Sequence, residues 1–210
     1  MSIQILLADD YEMVRQGLKA LLEREGFKVV GEASDGYQAL RLVEEMTPDL
    51  AVLDLAMPLM NGISVAKAIQ HSGLRTRVIA LTIHTEIPYV LEALQAGIKG
   101  YVLKNCAAEE LVHAIREVLR GSTYLSSDIS DVVVNAYLHG IEPGAELLSP
   151  REIQVLQLVA EGKSTKEAAS LLEISVKTAE SHRTHLMEKL EIHETASLVR
   201  YAVRHGLIDP

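Results

Sequence analysis

Over the first 120 residues, short apolar runs alternate with stretches of helical periodicity, and this alternation limits the possible folds more than any other feature. The apolar runs lie at residues 3–8, 28–33, 50–55, 78–82 and 100–104. Between them, apolar side chains recur at helical spacing, as at Val14, Leu18 and Leu21. Alternating strands and helices form βαβ units, whose right-handed crossovers give a parallel sheet covered on both faces. We therefore predict an α/β domain over residues 1–122, with a five-stranded parallel sheet and five helices.

The character of the sequence changes twice after this domain. Residues 121–148 contain no Lys or Arg and one short helical pattern, which includes Ile129, Val132 and Val133. From Ser149 onward, only helical periodicity remains. We interpret residues 123–147 as a linker with a short helix, and residues 148–210 as an all-α domain. Its four predicted helices lie near residues 150–161, 164–172, 175–190 and 194–205.

Composition indicates a cytoplasmic protein with two cores. The chain has 210 residues, of which 48% are hydrophobic, so each domain can bury a core of its own. No stretch reaches the roughly 18 uncharged apolar residues of a membrane span, and no apolar signal-peptide core follows the first residues. The single cysteine, Cys106, allows no disulfide within the chain, which fits a reducing compartment. We expect a cytoplasmic protein that does not enter the membrane.

The charge distribution limits how the chain can contact nucleic acid. Residues 1–122 carry 12 Lys and Arg against 16 Asp and Glu, and residues 123–148 carry none against 4. Residues 149–210 carry 8 against 9, which leaves a net charge of −1 out of the −9 of the whole chain. DNA-binding domains commonly carry a basic face. Any DNA contact must therefore come from a local patch, and the affinity of a single domain should be modest.

Polar side chains stand at the ends of four of the five predicted strands. Asp9 and Asp10 follow the first strand, Asp54 ends the third, Thr82 the fourth and Lys104 the fifth. In an open α/β sheet, ligands bind outside the carboxyl ends of the strands, so these side chains should converge. Taken singly, each has an ordinary structural explanation as a helix cap, a strand residue or a solvated charge. Together they provide oxygen ligands for a hard divalent cation, an aspartate nucleophile, and a hydroxyl and an ammonium that can neutralise phosphoryl oxygens.

These residues resemble the receiver domain of bacterial two-component response regulators. The resemblance rests on LLADD at the first strand, AVLDLAMPLMNG around Asp54, LT at 81–82 and GYVLK at 100–104. It implies a flavodoxin-like fold and phosphorylation of Asp54 by a sensor histidine kinase. It also implies a site for Mg²⁺ or another divalent cation. The implied metal ligands are Asp9, Asp10, Asp54 and the backbone carbonyl of Ala56.

The same resemblance implies how phosphorylation is sensed. Thr82 and Lys104 would hold the phosphoryl oxygens, and Tyr101 would be the aromatic switch residue. In this mechanism Thr82 moves toward the phosphoryl group while Tyr101 turns inward. The surface of the fourth and fifth helices and the fifth strand changes as a result.

The carboxy-terminal domain carries the signals of a helix-turn-helix. Ser149-Pro150 predicts the start of one helix, Ser164 and Glu167 form a capping box for the next, and Ser175 caps the third after a short turn. Two helices joined by so short a turn form a helix-turn-helix. At 100° per residue, the third helix has an apolar face and a polar face that can enter a major groove. The polar face includes Lys177, Glu180, Ser181 and Thr184, with Arg183 at its flank.

This region resembles the LuxR-type helix-turn-helix of the NarL/FixJ regulators. The matching motifs are SPRE, GKSTKE, ISVKT and HRTHLMEKL. The resemblance implies that helix 175–190 is the recognition helix for promoter DNA and that the last helix forms a homodimer on activation. By position, Lys177, Glu180, Ser181 and Thr184 would face the DNA and Arg183 would hold its backbone. On the last helix, we assign the dimer contact to Val199 and Val203.

Two alternatives follow from the same residues. Phosphatases of the haloacid dehalogenase type also combine an aspartate nucleophile, Mg²⁺, a hydroxyl and a lysine, but their nucleophile follows the first strand. Here the acidic pair follows the first strand and the nucleophile, Asp54, ends the third, so we predict a DNA-binding regulator and not an enzyme. The second alternative is a regulator that binds DNA without phosphorylation and uses its receiver only for dimerisation. Ile83, where receivers usually carry a small residue, leaves this alternative open.

Overall fold

The computed structural model describes residues 2–106, 108–138, 148–205 and 207–208. The chain divides into two compact units, Met1–Pro143 and Gly144–Pro210, and each is described by itself. No helix in the described ranges has the length and apolar character that a membrane span requires.

The first unit is built on a parallel sheet. Its strands are β1 (Gln4–Ala8), β2 (Lys28–Ala33), β3 (Leu50–Leu53), β4 (Arg77–Thr82), β5 (Gly100–Leu103) and β6 (Tyr124–Leu125). The strand order is β2-β1-β3-β4-β5-β6, and all neighbours pair in parallel. Within the part of the chain that the structure describes, the sheet therefore has six strands in place of the predicted five. β6 has only two residues, too few to produce a recognisable pattern in the sequence.

Helices cover both faces of this sheet. They are α1 (Glu12–Arg24), α2 (Gly36–Met46), α3 (Gly62–His71), α4 (Ile87–Gln95) and α5 (Ala108–Leu119). Ile5 and Leu7 of β1 pack with α1 and α5, whereas Leu6 and Ala8 pack with α2, α3 and α4. Central strands with two buried faces must be apolar throughout, which explains the continuous apolar runs in the sequence.

Part of the segment interpreted as a linker packs on this unit. β6 adds to the edge of the sheet, and the helix α6 (Ser127–Leu138) packs against α4. The backbone N–H of Ser126 donates to the carbonyl of Tyr101 at 3.0 Å, and Ile129 is fully buried in the core. Residues 139–147 of the interpreted linker lie outside the described residues.

The described residues of the second unit form four helices: α7 (Pro150–Ala160), α8 (Thr165–Leu171), α9 (Val176–Lys189) and α10 (Thr195–Arg204). α7 contacts the other three and, among the described residues, buries more apolar side chains than any of them: Val155, Leu156, Leu158 and Val159. Ser164 forms the predicted capping box with Glu167, and Ser149, at the predicted helix start, forms a second one with Glu152. The four helices match the predicted ranges to within about one residue at each end.

A buried carboxylate ties the first and third of these helices together. Glu152 is 3% exposed, and its Oε2 accepts from the Ser149 backbone N–H at 2.6 Å and from Lys189 Nζ at 2.7 Å. Burial alone would raise the pKa of this carboxyl, but the bonds from Lys189 and Ser149 outweigh it, so the pKa lies below its ordinary value. The ion pair therefore favours the charged form and fixes α9 on α7.

Candidate functional site

Three carboxylates meet at the carboxyl ends of β1 and β3. Each of Asp9, Asp10 and Asp54 places a carboxylate oxygen within 4.8 Å of those of the other two. Asp9 is 2% exposed and Asp54 is 4% exposed. The neighbouring position of β1 and β3 brings them together, and the Asp54 N–H donates to the Ala8 carbonyl at 2.8 Å. The sequence-predicted acidic residues thus form one cluster.

Lys104 closes the cluster from the end of β5. Its Nζ lies 2.7 Å from Asp54 Oδ2 and 2.7 Å from Asp9 Oδ2. The Lys104 N–H donates to the Thr82 carbonyl at 2.8 Å, which holds the ends of β4 and β5 side by side. One ammonium therefore faces two of the three carboxylates, and the cluster keeps an excess of negative charge.

Burial and crowding shift the acid–base properties of these groups. Burial raises the pKa of the Asp54 carboxyl, and the Lys104 ammonium offsets only part of this shift. Burial also raises the pKa of Asp10, and the negative charges of Asp54 and Asp9 add to the effect. For Lys104, burial lowers the pKa, but the two carboxylates outweigh it, so the pKa lies above its ordinary value. The lysine therefore stays charged.

The donor set fits a hard divalent cation. Oxygen ligands of this kind are those that Mg²⁺ and Ca²⁺ prefer in proteins. Asp10 Oδ1 is buried and has no hydrogen-bond partner among the described residues. Ala56 is adjacent and buried, and its N–H donates to Asp54 Oδ1 at 3.4 Å. A cation would relieve both the uncompensated charge and the unpaired oxygen.

Thr82 and Tyr101, the two predicted switch residues, contact the same neighbour. Thr82 is fully buried, and its Oγ1 accepts from the His84 N–H at 3.3 Å. Tyr101 is also fully buried, and its hydroxyl donates to the His84 carbonyl at 3.0 Å. Burial raises the pKa of Tyr101, so the phenol keeps the proton that it donates. Tyr101 therefore lies in an inward position.

His84 is a site residue that the sequence reasoning missed. Its backbone joins Thr82 to Tyr101, and its ring stacks on Tyr89 of α4 with centroids 4.7 Å apart. The available signal was its position two residues after Thr82, at the start of the loop to α4. Ile83 between them is 64% exposed.

Gly62 is a second residue that the sequence reasoning did not single out. A Cβ at this position would lie 2.2 Å from the carbonyl oxygen of Asp54. The Gly62 N–H donates to the Leu55 carbonyl at 2.9 Å, and the preceding Asn61 caps α3 through the Ser64 N–H. The start of α3 therefore packs directly on the backbone that carries Asp54, and only glycine fits there.

The helix α9 has the two faces that the sequence predicted. Ala179 and Leu186 are fully buried, while Lys177, Glu180, Ser181 and Thr184 are exposed. Thr184 Oγ1 donates to the Glu180 carbonyl at 3.0 Å, one turn back. The exposed side chains form one polar stripe along the helix.

Arg183 and the last helix complete this unit. Arg183 is half-buried and donates to the hydroxyls of Thr165 at 3.1 Å and Thr195 at 3.0 Å. On α10, Leu198 and Ala202 are fully buried, and the helix packs on α7. The two residues assigned to the dimer contact, Val199 and Val203, are partly exposed.

The fold and the acidic site define the class: the chain is a two-component response regulator. The family model "Response regulator receiver domain" matches residues 5–116, and the model "Bacterial regulatory proteins, luxR family" matches residues 146–202. The chain therefore belongs to the NarL/FixJ family, in which a receiver precedes a LuxR-type helix-turn-helix. This confirms the predicted fold, apart from the sixth strand, and excludes the phosphatase alternative.

Two curated relatives match nearly the whole chain. The oxygen regulatory protein NreC of Staphylococcus carnosus (strain TM300) is 36% identical over 216 residues, which cover 99% of this chain and 100% of NreC. The response regulator UvrY of Escherichia coli (strain K12) is 38% identical over 211 residues, which cover 98% of this chain and 95% of UvrY.

Solved structures show the same likeness. RcsB of Salmonella enterica serovar Typhimurium, bound to promoter rprA in the presence of the phosphomimetic BeF3⁻, is 29% identical with a TM-score of 0.65. The match covers 96% of this chain and 98% of RcsB. A LuxR-family response regulator from Aurantimonas sp. SI85-9A1 is 37% identical with a TM-score of 0.63, covering 66% of this chain and 99% of that one.

Proposed function

We propose that this protein is a cytoplasmic transcription regulator that a sensor histidine kinase activates by transferring a phosphoryl group to Asp54. The observation that carries this proposal is the contact of Lys104 with both Asp54 and Asp9, at 2.7 Å each, beside Asp10. A structural ion pair needs one carboxylate, whereas here one ammonium contacts two carboxylates and a third lies beside them. Such a surplus of buried negative charge is costly unless a cation and a phosphoryl group use it.

In the proposed reaction, a carboxylate oxygen of Asp54 attacks the phosphorus of a phosphohistidine and the imidazole leaves, which gives an aspartyl-phosphate. Mg²⁺, held by Asp9, Asp10, Asp54 and the carbonyl of Ala56, would neutralise charge on the phosphoryl oxygens. Lys104 neutralises charge from the other side, because its ammonium already lies against Asp54. Phosphorylation thereby replaces the single negative charge of the Asp54 carboxylate by the larger negative charge of the phosphoryl group. The Lys104 ammonium then shifts its contact from the Asp54 carboxylate to a phosphoryl oxygen.

The signal then leaves the site through Thr82. Before phosphorylation, the Thr82 hydroxyl accepts from the His84 N–H. To bond to a phosphoryl oxygen, this hydroxyl has to turn toward Asp54. His84 also accepts from the Tyr101 hydroxyl and stacks on Tyr89 of α4. We infer that the phosphoryl group stabilises the inward position of Tyr101 through this loop and so changes the surface around α4 and β5.

The second unit supplies the output. We propose that α9 enters the major groove with Lys177, Glu180, Ser181 and Thr184, and that Glu180 reads a base. RcsB, the relative with a TM-score of 0.65, was solved on promoter DNA, and another RcsB structure contains two dimers on two parallel DNAs. These structures support promoter binding and dimerisation for this chain.

We further propose that phosphorylation acts by making a dimer. The net charge of −1 in residues 149–210 gives a single domain little affinity for DNA phosphates. Val199 and Val203 are partly exposed beside the buried face of α10, where a second copy can cover them. Pairing would place two recognition helices on half-sites about one turn apart, so their binding free energies would nearly add.

Intact-mass analysis tests the phosphoryl transfer. Wild type and Asp54→Asn are incubated with Mg²⁺ and acetyl phosphate, and then with a phosphorylated histidine kinase. We expect one added phosphoryl group on wild type and none on Asp54→Asn. An unchanged wild-type mass with every donor would refute the proposal and favour the regulator that works without phosphorylation.

Sedimentation tests the dimer. Wild type and Val203→Glu are compared with and without beryllofluoride and Mg²⁺, with Arg200→Glu as an exposed control on the same helix. We expect activated wild type and Arg200→Glu to dimerise and Val203→Glu to stay monomeric. Tight operator binding by a monomer of activated wild type would contradict the dimer proposal.

A further inference from the structure

The guanidinium of Arg183 is engaged within the helical unit. It donates to the hydroxyl of Thr165, 18 residues earlier, and to that of Thr195, 12 residues later. Thr165 and Thr195 are the first residues of α8 and α10. One side chain on the recognition helix thus bonds to the starts of two other helices.

The position of Arg183 on α9 agrees with this arrangement. At 100° per residue, it projects about 90° from the middle of the exposed stripe of Lys177, Glu180 and Thr184. Its neighbours on one side of the helix are the buried Ala179 and Leu186, and on the other side lies the exposed Glu180. Arg183 therefore lies at the border between the buried face and the exposed stripe, where half-burial is expected, and its guanidinium bonds within its own domain.

We propose that Arg183 is a positioning residue, which sets the angle of α9 against α8 and α10 and does not give its charge to a DNA phosphate. This inference rests on the proposed function, because the role is expressed in operator binding. The planar guanidinium has two forward N–H groups that can reach both threonines at once, whereas a lysine ammonium cannot span them. Since α10 is the proposed dimer helix, the same two bonds fix how the dimer presents its recognition helices.

A positioning role and a phosphate contact predict different salt dependence. Loss of a phosphate contact weakens binding on every sequence and reduces the salt slope by about one. Loss of a positioning bond misaligns the base-reading side chains, so it lowers operator affinity while the salt slope stays the same. The threonine hydroxyls offer a way to remove the bonds without touching the arginine.

The test uses full-length protein activated with beryllofluoride. Its probes are an operator selected in vitro with the wild type and a non-specific duplex of equal length. The variants are Thr165→Val with Thr195→Val, Arg183→Lys and Arg183→Ala, and Lys177→Ala is the matched loss of an exposed charge. We expect the threonine double variant, Arg183→Lys and Arg183→Ala to lose about tenfold in the ratio of operator to non-specific affinity, each with a wild-type salt slope. Lys177→Ala should lower the slope by about one.

The inference would be overturned if the threonine double variant kept the wild-type ratio of operator to non-specific affinity. It would also be overturned if the salt slope fell by about one in Arg183→Ala and returned to the wild-type value in Arg183→Lys. If wild type bound no DNA, the proposed function would fail instead. Hydrogen exchange without DNA then decides the position of the helices. Faster exchange in α8 and α10 of Arg183→Lys supports the inference, and unchanged exchange contradicts it.

Discussion

Replacing Glu152 by Gln should destabilise the helical unit by an amount that the contacts allow us to work out. The Glu152 carboxylate accepts two short bonds, from Ser149 N–H at 2.6 Å and from Lys189 Nζ at 2.7 Å. Hydrogen bonds to charged groups contribute about 1.5–3 kcal/mol each. A glutamine oxygen can keep the first bond in neutral form, and Lys189, whose side chain is 43% exposed, returns to water. The expected loss is therefore about 2 kcal/mol.

Hydrogen exchange of the α7 amides measures this loss directly. At 1.36 kcal/mol per factor of ten, exchange through unfolding should be about 30-fold faster in Glu152→Gln at pH 7. Glu188→Gln, which changes an exposed carboxylate on α9, should exchange at the wild-type rate. Equal exchange in Glu152→Gln and wild type would refute the reasoning.

The ratio of the exchange rates in Glu152→Gln and wild type should depend on pH, because the pKa of Glu152 is lowered. A carboxyl whose pKa is lowered in the folded state stabilises the fold at pH values above its ordinary pKa of 4.5. This contribution is lost as the pH falls through the pKa of the folded state. Because both proteins are compared at the same pH, intrinsic exchange rates cancel. The ratio should hold between pH 6 and pH 8 and decline below about pH 4.5. A ratio that grows as the solution is acidified would contradict this sign.

Three further predictions concern the two functional surfaces. Lys104→Met should slow labelling by acetyl phosphate about tenfold or more, because it removes the ammonium beside Asp54; intact mass over time checks this, and a wild-type rate would contradict it. Gly62→Ala should cost about 2 kcal/mol or more in urea unfolding, because its Cβ would lie 2.2 Å from the Asp54 carbonyl oxygen; an unchanged midpoint would be inconsistent with that contact. Glu180→Ala should relax sequence preference at one operator position by about 1–3 kcal/mol, as measured by competition among operator variants, and a uniform loss would show that Glu180 does not read a base.

Sequence periodicity was sufficient for most of the fold because buried elements impose strong patterns. The central strands are apolar on both faces, and α7, α8 and α9 each begin after a capping serine. β6 and the packing of α6 were missed for a physical reason. A two-residue strand has no period, and the burial of Ile129 depends on α4, which is distant in sequence.

The candidate site was predictable to the extent that it follows from topology. The carboxyl ends of parallel strands share one edge, so Asp9, Asp54 and Lys104 could be brought together without coordinates. The contacts of His84 and Arg183 could not be predicted in this way. They depend on a loop conformation and on the angles between helices, whereas a helical projection gives a face and not its partner.

Operator affinity with and without an activated receiver tests the central claim most directly. Wild type and Asp54→Asn are titrated onto the selected operator at fixed salt, each with and without beryllofluoride and Mg²⁺. We predict that beryllofluoride strengthens wild-type binding at least about tenfold, with cooperative dependence on protein concentration, and leaves Asp54→Asn unchanged. Equally tight binding by wild type in both conditions would contradict the control of DNA binding by Asp54.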